Sequence, residues 1–144
     1  MEFPENQKII IKSLKKFNLE DGDVLHALKC SENEFNGFEE AYFSTIKKNK
    51  IKAWKKHNIM TMNLIVPIGN VQFIFYDEKK NFLRSAIIGE DNYSRITVPP
   101  KIWFGFKGLS SRTSYILNIS NLSHDPSEVE RQSLTFLKFL SDIL

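Results

Sequence analysis

One cysteine, Cys30, stands in 144 residues, so no internal disulfide can staple this chain, and the lone thiol fits a reducing compartment. It reads as a plain packing or surface residue before it reads as a reactive group. No run approaches the ~20 consecutive apolar residues that a membrane helix needs. The start, Met1-Glu2-Phe3-Pro4-Glu5, is acidic and broken by proline, which predicts no signal peptide and, with the thiol, a cytoplasmic protein. Net charge is only +3, too little to argue for nucleic acid by itself, and aromatics spaced for base stacking are missing. Neither an internal repeat nor a low-complexity linker interrupts the chain.

What is present fits one domain, residues 1–144. A hydrophobic share of 42% with 26% charged residues is ordinary for a globular protein. Twelve phenylalanines suit the interior of a β-sandwich or barrel. Short apolar or alternating runs recur at 9–11, 24–28, 41–46, 51–54, 60–66, 71–76, 82–88, 94–98 and 114–119, separated by Gly, Asn, Asp and Pro. That spacing predicts an antiparallel all-β domain, with hairpins at Lys47-Lys48-Asn49-Lys50 and at Pro67-Ile68-Gly69-Asn70. The lysines at 47, 48, 50, 52, 55 and 56 form either a solvated run or a mouth that attracts phosphate.

The end reads differently. Asp125-Pro126 offers an N-cap with proline at the first helical position, and Glu128 follows in the first turn. Leu134, Leu137, Leu140 and Leu144, with Phe136, Phe139 and Ile143, then recur at helical spacing. The expectation is an amphipathic helix over about 126–143, packed on the sheets or against a second subunit.

Several blocks together carry a resemblance. They are Gly22-Asp23-Val24-Leu25-His26-Ala27-Leu28, Phe38-Glu39-Glu40-Ala41-Tyr42-Phe43-Ser44-Thr45-Ile46, Ile51-Lys52-Ala53-Trp54 and Met60-Thr61-Met62-Asn63-Leu64-Ile65-Val66-Pro67-Ile68-Gly69. Gly89-Glu90-Asp91-Asn92-Tyr93, Val98-Pro99-Pro100-Lys101-Ile102-Trp103-Phe104-Gly105-Phe106-Lys107-Gly108 and His124-Asp125-Pro126-Ser127-Glu128-Val129-Glu130-Arg131 complete the set. Their order and spacing resemble the dTDP-4-dehydrorhamnose 3,5-epimerase-like cupins, from about Ile9 to Arg131. The resemblance implies a double-stranded β-helix, a jelly-roll barrel over about 9–124, commonly dimeric. It also implies a nucleotide-linked keto sugar of surface polysaccharide synthesis as ligand, with no cofactor.

The same resemblance marks where this chain departs from the pattern. In the family the segment after Trp54 carries His, a variable residue, and a second His; here it reads Lys55-Lys56-His57. Alternation along a strand places Ala53, Lys55 and His57 on the inward face. Lys55 thus replaces the family's catalytic base, and such a lysine needs burial or neighbouring cations to act as one. The acidic partner expected on the last long strand is replaced by Asn118, Ser120 or Asn121, and Phe104 stands where relatives carry a polar residue. With Lys55, His57, Asn63 and Phe104 at the positions of metal-binding cupins, no bound metal is expected.

His57 and Lys55 are therefore the candidate catalytic residues. Lys52 is a candidate for the diphosphate, Asn63 and Asn118 for sugar hydroxyls, and Tyr42 and Trp54 for stacking on a ring. For His26 and His124 structural roles are favoured. The reading is an epimerase or isomerase that removes a proton beside the ketone of a 4-keto-6-deoxy sugar. The alternative is a catalytically degenerate cupin that binds a nucleotide sugar or a protein partner. A sugar-sensing regulatory domain is weaker, because no DNA-binding segment accompanies it.

Overall fold

The computed structural model describes residues 8–136 and 138–144. Twelve strands run in chain order: β1 Ile10–Ser13, β2 Lys16–Phe17, β3 Val24–Leu25, β4 Glu40–Ile46, β5 Ile51–His57, β6 Met62–Ile68, β7 Asn70–Asp77, β8 Phe82–Gly89, β9 Ser94–Val98, β10 Trp103–Gly108, β11 Ser114–Ser120 and β12 Val129–Arg131. Ten of them make two antiparallel sheets, ordered β1-β9-β6-β11-β4 and β12-β5-β10-β7-β8. Alternation along β6, β7 and β10 turns Met62, Leu64, Val66, Phe73, Phe75 and Phe104 into the space between them. Burial of each such side chain contributes roughly 1.5–3 kcal/mol.

The all-β expectation holds, but three details differ. The sheets do not close into a barrel, since among the described residues each keeps two edges and no ladder joins them. The two expected hairpins are corners instead. β4 pairs with β11 while β5 pairs with β10 and β12, and β6 and β7 likewise lie in opposite sheets. The chain does turn at both places, with Asn49 at φ 62° and Gly69 at φ 85°, but a turn does not choose the hydrogen-bonding partner.

The third difference is the C-terminal helix. Pro126–Glu128 forms one 3-10 turn, with Asp125 as its N-cap accepting from the Ser127 amide. The chain then extends as β12 along the edge of β5, because Glu128 is held there by the His57 ring and the Ile59 and Met60 amides and the unpaired edge accepts the backbone that follows. Helix returns only as α1, Lys138–Ser141. Of the apolar residues assigned to the helix, Leu137 lies outside the described residues. Phe136 packs on Trp103, Phe139 meets Tyr76, and Leu144 joins the cluster formed by Trp54, Ile74 and Trp103 on the outer face.

A second buried feature closes the opposite outer face. Arg95 is fully buried on β9. Its guanidinium donates to the Ala27 carbonyl at 2.6 Å and to Glu32 at 2.8 Å, which pins the polar loop after β3 over the sheet. Hydrogen bonding to Arg95 holds the Glu32 carboxyl at about 2.

One irregularity sets the geometry of the functional region. Phe104 faces Lys55 and Phe106 faces Lys52, so Ala53 and Trp54 together oppose the single residue Gly105. This is a β-bulge, with two residues against one. A Cβ on Gly105 would lie 2.6 Å from the Ala53 Cβ and 3.0 Å from the Trp54 ring. Gly105→Ala is expected to destabilise the fold by about 1–3 kcal/mol through this overpacking. Urea unfolding measures it, and an unchanged midpoint would show that the bulge tolerates a side chain.

Candidate functional site

The bulge decides which basic residues meet. In a regular strand, residues three apart point to opposite faces. Across the bulge, Lys52 and Lys55 both turn inward, opposite Phe106 and Phe104. They line a cavity of ≈ 480 Å³ between the edge strand β4 and the β5–β12 edge. Its floor is apolar, with Met62, Leu64, Phe73 and Ile116. Tyr42, Ser44 and Asn118 supply the polar wall, and Arg131 on β12 completes the rim.

The charges at this cavity share one sign. Arg131 is the direct cross-strand partner of Lys55, an arrangement that costs stability unless something compensates. Among the described residues, no carboxylate lines the cavity, and none is within salt-bridge distance of Lys55. Burial pulls the Lys55 amine below the ordinary lysine range, the Arg131 cation pulls it further, and Glu128 opposes both. Lys52, more exposed, donates to the Thr45 carbonyl at 2.8 Å.

Tyr42 and Asn118 meet across the β4–β11 ladder. The Asn118 amide donates to the Tyr42 hydroxyl at 3.0 Å, which occupies a lone pair of that oxygen and leaves its proton free to be donated. Both residues line the cavity.

His57 occupies a different place. It shares the inward face with Lys55, its ring stacked on Phe104 with centroids 6.1 Å apart, yet it is buried behind the cavity lining. Its Nδ1 donates to Glu128 at 2.5 Å. Burial would raise Glu128, but this bond and those from the Ile59 and Met60 amides pull it below the usual carboxylate range. An ionised carboxylate only accepts, so the ring proton sits on Nδ1 and Nε2 carries the lone pair. Burial lowers the His57 pKa despite the hydrogen bond to Glu128, and the Lys55 charge adds to the lowering, so the ring is neutral near pH 7. Among the described residues, Nε2 has no hydrogen-bond partner.

Two expected site residues lie elsewhere. Asn63 faces away from the interior, because the inward set on β6 is Met62, Leu64 and Val66. Its amide oxygen accepts from Thr97 at 2.6 Å and its nitrogen donates to the Glu34 carbonyl at 3.2 Å. Trp54 borders the cavity, but its indole is 1% exposed in the outer cluster and donates to Ser141, which leaves no face for stacking. Lys52, Lys55, Tyr42 and Asn118 come together, and His57 lies directly behind them. Among the described residues, no three His, Cys, Asp or Glu side chains gather into a metal site.

No family model matches the chain. A dTDP sugar isomerase from Desulfovibrio desulfuricans G20 is 30% identical, with a TM-score of 0.85 over 92% of this chain and 87% of that one. The chain belongs to the dTDP-4-dehydrorhamnose 3,5-epimerase-like family. A dTDP-4-dehydrorhamnose 3,5-epimerase from Sulfolobus tokodaii shares the fold at a TM-score of 0.79 and 16% identity, over 95% of this chain and 82% of that one. The spore coat polysaccharide biosynthesis protein SpsL of Bacillus subtilis (strain 168) is 22% identical over 129 residues, covering 86% of this chain and 85% of its own.

Within this family, the residue that sequence reasoning missed is Glu128. The sequence places the acidic partner of the family's base on β11, where only amides and hydroxyls stand, and leaves His57 without a carboxylate. The carboxylate that His57 meets comes from the turn before β12, where the helical pattern makes Glu128 a first-turn residue. The available signal was the join of a capped turn to a short polar strand, Asp125-Pro126-Ser127-Glu128-Val129.

The depressed pKa of His57 has a consequence for stability. The unfolded chain binds this proton first, near its ordinary value of 6.5, so stability falls as pH drops below that value. Depression of Glu128 below 4.5 extends the loss to more acid pH. Urea unfolding at pH 7.5, 6.5 and 5.5 should show a slope approaching about 1.4 kcal/mol per pH unit at its steepest. That slope should flatten in His57→Gln, and an equal slope in the variant would refute the assignment.

Proposed function

We propose that the protein is an epimerase or isomerase of a nucleotide-linked 4-keto-6-deoxy sugar in surface polysaccharide biosynthesis, acting by proton removal beside the ketone. The cationic, carboxylate-free cavity with a half-buried amine and a phenol on its walls carries this reading. Lys52 and Arg131 are placed to meet a diphosphate. The apolar floor accepts the sugar's methyl group. Lys55, in its neutral form, takes the proton from the carbon beside the ketone, and Tyr42 donates its hydroxyl proton toward the ketone oxygen as negative charge develops there. Asn118 positions Tyr42. The His57–Glu128 pair holds the strand end on which Lys55 stands, and the mechanism needs no cofactor.

A second reading, a cupin that binds without turnover, is favoured by one observation: His57, the histidine retained from the family pattern, is shut behind the cavity wall. We also read the protein as one cytoplasmic domain that forms a homodimer. Phe43 and Tyr115, exposed at 63% and 40% on the outer face of β4 and β11, support the dimer. No helix among the described residues is long and apolar enough to cross a membrane.

Incubation with dTDP-4-keto-6-deoxyglucose in heavy water separates the readings. Enolisation places deuterium on the carbons flanking the ketone, detected by mass and NMR. Lys55→Met should slow this by about 100-fold or more, and Tyr42→Phe should slow it with ligand binding largely kept. Binding without deuterium entry in the wild type would favour the second reading, and absence of binding would defeat both.

A further inference from the structure

Lys55 differs from the other cations whose contacts are described. Lys12, Lys56, Arg95 and Arg112 each sit against a carboxylate, and Lys52 gives its proton to a backbone carbonyl. Lys55 instead faces a cavity, opposite a second cation on the neighbouring strand. A lysine held beside another positive charge and partly withdrawn from water is a nucleophile as well as a base. The same rim carries Arg131 and Lys52, so an anion bound there lies within the lining that Lys55 shares.

We infer that Lys55 is an imine-forming lysine, and that the cavity captures small carbonyl compounds that carry a phosphate group. The phosphate is held by Arg131 and Lys52. The Lys55 nitrogen adds to the carbonyl carbon, its proton passes to the carbonyl oxygen, and loss of water from the carbinolamine leaves a C=N bond. No oxidant or reductant enters the step, and hydrolysis reverses it. Which ligand atom lies over Nζ selects the outcome: a carbonyl carbon is attacked, whereas an acidic C–H is deprotonated. This capture does not depend on the keto-sugar reading, because it requires only the amine, the cavity and the two flanking cations. The lowered Lys55 pKa supports it by increasing the share of neutral amine at pH 7.

The test uses pyridoxal 5′-phosphate, which joins an aldehyde to a phosphate, at one equivalent and pH 7.5. Imine absorbance is followed, the bond is fixed with borohydride as a secondary amine, and peptide mapping locates the label. The expected result is a single label at Lys55, blocked by inorganic pyrophosphate, lost in Lys55→Arg and slowed on the order of tenfold in Arg131→Gln. A label spread over surface lysines, a label elsewhere that pyrophosphate does not block, or undiminished labelling of Lys55→Arg would overturn the proposal. Retained unfolding midpoints in both variants tie any loss of label to the site rather than to the fold. Deuterium entry into the keto sugar without pyridoxal capture would overturn the imine while leaving the proposed function intact.

Discussion

Glu128 holds a carboxylate at 3% exposure, and a charge at that depth persists only where its lone pairs are engaged. Three donors engage it: the His57 ring and the amides of Ile59 and Met60. All three lie at the end of β5 and in the turn beyond it, whereas Glu128 closes the 3-10 turn that leads into β12. The hydrogen bonds therefore fasten the last strand to the edge of β5 before its own ladder begins. From that anchor the register follows: Val129 against His57, Glu130 against Lys56, Arg131 against Lys55. Trp54 and Gln132 then exchange amide hydrogen bonds at 2.9 Å and extend the attachment past the bulge. The position of Arg131 at the rim thus traces back to one buried carboxylate at the start of the strand that carries it.

The bulge contributes the other half of the arrangement. Without it, Lys52 and Lys55 would face opposite sides of the sheet. With it, both face inward, and Trp54 turns out into the cluster that the C-terminal segment covers. Gly105 permits this because the two opposing residues approach closer than any side chain there would allow. A local defect in one ladder therefore serves both faces: a cationic cavity on one side and a tryptophan-anchored seam on the other.

Much of this was legible in the sequence, and the misses share a cause. Alternation and turn residues located the strands, and the inward placement of Lys55 and His57 followed from the period of two. Asn63 failed by one residue of parity, since both faces of β6 are buried, one by the core and one by the loop that Arg95 pins, so burial gave no sign of which face was which. The hairpins failed because hydrogen-bonding partners are set by the packing of two sheets, which no local turn encodes. The helix failed at Glu128: a capped, acidic first turn is a sound helix start until a buried histidine and a free strand edge compete for the same residues. Lys52 and Ala53 stand on the faces opposite to those that alternation assigns, Lys52 inward and Ala53 against the outer Trp54 cluster, because a bulge is invisible to a periodic rule.

Among the described residues no ladder joins the β4 edge to β12, and the cations gather between these edges. Joining the β4 edge to β12 would add a ladder of hydrogen bonds, but it would also seal Lys55 and Arg131 in a space with no counter-charge. Keeping that side open leaves the repulsion between them in contact with solvent, where it is screened. An anion held between them would supply the counter-charge and offset their repulsion. Such a ligand stabilises the fold by mass action. The effect should grow with the charge of the ligand, because Lys55 and Arg131 are cross-strand neighbours that one phosphate can approach together.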